Sequence, residues 1–112
     1  MTEDDLPEVQ DLEIAAERRM QQVDANPEDR VSAAAARRLL ALAEEVRRLS
    51  ASPLMQEFHA ICGWLDEFGG MEEFHQLAHE YRWQIGISHD PEGGEAYLHA
   101  LIGLARQASG AA

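Results

Sequence analysis

The sequence predicts an all-α protein, a small bundle of four to five helices that is expected to pair with itself as a dimer. Three observations carry that expectation. Apolar residues recur at steps of three and four along most of the chain, which places them on single helix faces. Cap-then-proline signals punctuate those runs. Alanine is dense, as at Ala33 to Ala36, and it loses no side-chain entropy in a helix.

Residues 1–6 read as a frayed acidic tail, and residues 7–107 as one helical domain. The first helix begins near Asp5 or Pro7 and ends around Ala25, with Val9, Leu12, Ala16, Met20 and Val23 on its apolar face. Asn26-Pro27-Glu28-Asp29 is a start signal, with Asn26 as the expected cap and acids in the first turn. The second helix, about 27–50, carries the narrowest seam: Ala35, Leu39, Leu42, Val46 and Leu49, widened by Leu40 and Ala43. A seam of that period suits shallow helix pairing, so Leu39, Leu42, Val46 and Leu49 are the candidate dimer interface. Ser52-Pro53 opens a third helix over 53–68, lined by Leu54, Phe58, Ile61, Leu65 and Phe68, and Gly69-Gly70 stops it. The fourth helix, about 71–82, uses Met71, Phe74, Leu77, Ala78 and Tyr81. Tyr81, Trp83, Ile85 and Ile87 then alternate as in an extended segment, with the helix giving out near Gln84. Residues 88–94 form a turn. A fifth helix over about 95–107 carries Leu98, Leu101, Ile102 and Ala105, and a tail frays over 108–112.

A chain of 112 residues with 46% hydrophobic and 27% charged residues holds one globular core. No apolar run reaches the ~18 residues of a membrane span, and the acidic start has no apolar stretch behind it, so no signal peptide is expected. The single Cys62 rules out an intramolecular disulfide and suits a reducing, cytoplasmic setting. All nine basic residues are arginine, which with the alanine content fits a GC-rich bacterial genome. The net charge of −12 divides into −8 over residues 1–29, +3 over 30–52 and −7 over 53–112. Such a field repels phosphate backbones, so no direct nucleic-acid binding is expected, and it draws in a basic partner surface. Arg37, Arg38, Arg47 and Arg48 lie largely outside the second helix's seam. They read as a solvated face or as a surface for the chain's own acidic first helix.

Reactive constellations are few. Glu72, His75 and His79 share one face of the fourth helix in a Glu-x-x-His pattern, which occurs in di-iron bundles. A complete site of that kind needs a second motif, which a homodimer would supply with Glu57 or Glu67. This is the alternative reading, a dimeric metal-binding protein or enzyme. Against it stands a plain polar helix face, and no metal or other cofactor is expected. His59 and Cys62 are three apart, but Cys62 sits in an apolar stripe among acids, without the basic setting that makes a thiolate. Asp66-Glu67 and Glu72-Glu73 flank glycines at solvent-accessible helix ends. Gly93-Gly94 lacks the lysine and the strand of a phosphate loop. No catalytic residue is expected.

The remaining surplus is apolar and aromatic. Tyr81, Arg82, Trp83, Ile85 and Ile87, with Trp64 and Phe68 in support, are the candidate partner-binding residues, since Trp, Tyr and Arg dominate binding hot spots. The lid-on-the-core reading of Trp83 and the isoleucines competes with this. In size, acidity, helix content and lack of reactive groups, the chain resembles the small bacterial antiactivators. These bind a transcription factor of the quorum-sensing receptor type and keep it off its promoter. Secretion-system chaperones are also small and acidic, but they mix sheet with helix. The antiactivator resemblance implies a dimer that binds a transcription factor and not DNA. It carries over no individual residue.

Overall fold

The computed structural model describes residues 6–110, and it is all-helical. Its elements are α1 (Pro7–Ala25), α2 (Arg30–Arg48), α3 (Pro53–Phe68), α4 (Met71–Gln84) and α5 (Gly94–Ala108). Most of the expected acidic tail, and residues 111–112, lie outside the described residues. No described helix is long and apolar enough to cross a membrane.

Local chemistry explains the boundaries. Pro7 occupies the first turn of α1, where a missing N–H costs nothing. Asn26, expected to cap α2, instead closes α1: its N–H donates to the Gln22 carbonyl at 2.9 Å. Its side chain then accepts from the Glu28 N–H at 3.3 Å and holds a turn. The cap falls to Asp29, which accepts from the Ser32 N–H at 2.9 Å and the Ser32 hydroxyl at 2.8 Å, so α2 starts three residues later than Pro27 suggests. At α3 the expected cap holds, with Ser52 accepting from the Met55 N–H at 3.1 Å. Gly69 and Gly70 both take positive φ. A Cβ on Gly70 would also stand 2.8 Å from the Ala108 carbonyl oxygen, so the turn into α4 is wedged against the end of α5.

The α1–α2 hairpin is the most closely packed pair, and α5 is the hub, packing on α2, α3 and α4. One core runs through all five helices, from Val9 and Leu12 through Leu39, Leu42 and Val46 to Phe58, Leu65, Tyr97, Leu98 and Leu101. Each fully buried Leu contributes about 1.5–3 kcal/mol over an exposed one. The α2 seam is therefore spent inside the chain. Leu39, Leu42 and Val46 are 0% exposed and Leu49 is half-buried, which corrects their assignment to a dimer interface: α1 and α5 already cover them. The outer members of the expected faces are solvent-facing, with Met20 and Leu40 exposed and Val23 half-buried.

The segment after α4 departs from the alternating pattern. The helix continues to Gln84, so Trp83 belongs to its last turn, and the only extended pairing among the described residues is one bridge between Ile85 and His89. Ile85 is 0% exposed while Ile87 is 49% exposed. Gly86, at φ +83°, lies so close to α2 that a Cβ would be 2.9 Å from the Ala35 Cα. Arg38 fastens the far side of this loop, pairing with Asp90 at 2.6 Å and donating to the Pro91 carbonyl. The Gly94 N–H donates to Glu45 at 2.8 Å. The loop is thus bolted to α2 from both ends.

Candidate protein-binding surface

The residues singled out for binding separate into two groups on different elements. On α4, Trp83 packs beneath α1: the Arg19 guanidinium carbon lies 3.8 Å from its ring centroid, and an Arg19 N–H donates to the Trp83 carbonyl at 2.5 Å. Arg19 also reaches the Ser32 hydroxyl at 3.3 Å, so one side chain ties α1, the start of α2 and the end of α4. It is 7% exposed, an unusual burial for arginine. Burial lowers its pKa from the ordinary value, and the Asp29 carboxylate opposes that shift. Arg19 Nε and the Tyr97 hydroxyl are, among the described residues, the buried side-chain polar atoms without a hydrogen-bond partner.

Apart from Ile87, the rest of this group is also half-buried or buried. Tyr81 stacks on Tyr97 with centroids 5.9 Å apart, and on its other side meets His89 at 5.5 Å. Burial pushes the Tyr97 hydroxyl up to about 12; the nearby Arg82 guanidinium pulls the other way without meeting it in hydrogen-bond geometry. Arg82 faces Asp11 at 3.9 Å. Tyr81, Trp83, Leu77, His79, His89 and Leu104 line an open cleft of about 640 Å³. Ile85 contributes nothing to a partner surface. It plugs the core, because the chain turns inward directly after α4; only Ile87 of this stretch stands well into solvent.

The second group sits on α3 and has a different character. Trp64 is 47% exposed and Phe68 is 65% exposed, with ring centroids 4.9 Å apart. They are one turn apart on the solvent side of a helix whose other side buries Met55, Phe58 and Leu65. Beside Trp64 lies a shallow trough of about 310 Å³ lined by Ala60, Ile61, Trp64, Arg106 and Ser109. Its α5 wall was not legible in the sequence: Arg106 and Ser109 are more than 40 residues away and carry no local signal. Arg106 of this lining pairs with Glu57 of α3 at 3.2 Å.

The reactive candidates are dispersed. Glu72, His75 and His79 are exposed, and no three His, Cys, Asp or Glu side chains among the described residues converge as metal ligands. His59 pairs with Glu8 of α1 at 2.9 Å and not with Cys62. Burial, helped by the Glu8 carboxylate, pushes the Cys62 thiol up to about 11, the opposite of nucleophile activation. Asp66, Glu67, Glu72 and Glu73 are exposed. Of the α2 arginines, Arg47 meets Glu13 of α1 at 3.0 Å as well as Glu44 on its own helix, while Arg37 and Arg48 are exposed. No family model, curated protein or solved structure matches the chain.

Proposed function

We propose that the protein is a non-enzymatic regulator that acts by binding another protein, and specifically an antiactivator that holds a transcriptional activator away from its promoter. The observation that carries this reading is the exposed Trp64–Phe68 pair, its rings tilted against each other, beside an apolar trough. Two large aromatics held side by side in water are costly for a monomer to display, and such anchors supply most of the energy in protein interfaces. The net charge of −12 supports a protein partner over nucleic acid and fits a cytoplasmic inhibitor that meets the basic surface of a DNA-binding protein.

The test is affinity capture from the source cell with the full chain and with a Trp64→Ala/Phe68→Ala variant. The expected outcome is a DNA-binding activator recovered by the native chain and lost by the variant, which then fails to displace that activator from promoter DNA. Equal capture by both forms, with the variant folded, would sink the reading.

A further inference from the structure

The outer face of α3 has a second peculiarity besides its aromatics. Gly63 lies in the middle of that helix, where glycine is the least favourable residue after proline. A Cβ there would meet nothing within 4 Å, and Gly63 has no positive φ, so the fold of this chain has no need of glycine at that position. Glycine removes bulk so that another backbone can come close. Ala60, Gly63, Trp64 and Glu67 fall together on the solvent side, a low shelf with Trp64 and Phe68 standing along one edge.

We infer that this shelf is the seat of a basic amphipathic helix from the partner protein; the inference rests on the protein-binding reading and names its partner chemistry. The trough between α3 and the end of α5 adjoins this shelf at Ala60 and Trp64, and helix-in-groove recognition uses such an apolar recess for its anchors. The small residues let the incoming backbone approach, and Trp64 and Phe68 receive its apolar side chains. Asp66 and Glu67 are exposed beside the shelf, so arginines or lysines flanking the apolar face find carboxylates. Arg106, the cation that lines the trough among the described residues, is already paired with Glu57. A second copy of the chain is the poorer occupant. It would bring another net charge of −12 and set Asp66 and Glu67 of both copies against each other.

Fluorescence anisotropy with dye-labelled helical peptides tests this on the full chain. One set carries leucines at helical spacing with arginines between them, a second has each arginine replaced by glutamate, and a third has the leucines replaced by serine. The arginine set should bind, at least ~10-fold tighter than the other two, and more weakly at high salt. Trp64→Ala should weaken binding by ~30-fold or more. Gly63→Leu should abolish binding while the melting temperature holds or rises, so lost binding cannot be blamed on unfolding. Glutamate peptides binding as well as arginine ones, no peptide binding at all, or Gly63→Leu binding normally would each overturn the inference. So would a dimer in sedimentation that Trp64→Ala dissolves, which would make the second copy the occupant. If the natural partner's capture still depends on Trp64 while the arginine peptides fail, only the basic-helix inference falls. If neither depends on Trp64, the protein-binding reading falls with it.

Discussion

Trp64 and Trp83 are the two tryptophans of the chain, and each stands on the last turns of a helix, yet they are used in opposite ways. Trp83 has a cation over its ring and a donor on its carbonyl, both from Arg19, which belongs to a helix far away in sequence. Trp64 faces Phe68, one turn along the same helix, and the shallow floor of a trough. The first is held by tertiary structure and helps to hold it. The second contributes little to the fold and remains available. Residue type therefore marks a tryptophan as a candidate; its neighbours say whether the fold uses it.

Substitution at both sites should separate the roles. Trp83→Ala opens a hole under Arg19 and strips its stacking, for a loss of about 2–4 kcal/mol of stability. In a domain of this size that lowers the melting temperature by roughly 10–25 °C. Trp64→Ala should stay within about 0.5 kcal/mol of the native protein, as exposed sites do. Equal melting shifts would break the contrast.

A glycine pair sharpens it. Gly86→Ala forces a positive-φ residue against Ala35 and should cost about 1–3 kcal/mol, read by urea denaturation. Gly63→Ala meets nothing and should gain about 0.5–1 kcal/mol. Arg19→Met keeps bulk beneath α4 but loses the hydrogen bonds to Trp83 and Ser32. A loss of about 1–2 kcal/mol is expected, moderated because a buried charge with an unpartnered Nε is also removed.

The last effect is confined to alkaline pH. Folding raises the Cys62 thiol from 9.0 to about 11, so above pH 9 the unfolded chain releases a proton that the folded chain keeps. The contribution is fully present below pH 9 and is lost as pH rises toward 11. Cys62→Ala should flatten that part of the stability profile, leaving the fall above pH 10 that Tyr97 imposes through its own shift to about 12. At pH 8 the native thiol should react slowly with a maleimide.

Helix periodicity and caps made all five helices legible, because both are local. Ser52 and Pro53 mark α3 with no help from elsewhere. The Asn26-Pro27 signal misplaced the start of α2 because the preceding helix competes for Asn26, and only the geometry of the turn decides that contest. The end of α4 near Gln84 was legible, but the Tyr81–Ile87 alternation is not that of an extended segment: Trp83 is still helical, and Ile85 then turns into the core. Trp64 and Phe68 were visible as candidates by residue type. Their trough was not, since Arg106 and Ser109 arrive through the packing of α5, and Arg19 gave no sign that it would be buried.

The place of α5 in the order of synthesis has its own consequence. It follows the other four helices in the chain, yet α2, α3 and α4 all lean on it, and the α3–α4 turn rests against its final residues. On the ribosome the α1–α2 hairpin can close early, because its partners are adjacent in sequence. The remaining leucine and phenylalanine faces must wait, uncovered, until Leu98, Leu101 and Ala105 have emerged. During that interval the nascent chain presents far more sticky surface than the finished protein does. A ribosome stalled before residue 94 should therefore hold a chaperone-bound intermediate, and one stalled on an added C-terminal linker, long enough for all 112 residues to clear the exit tunnel, a protease-resistant bundle.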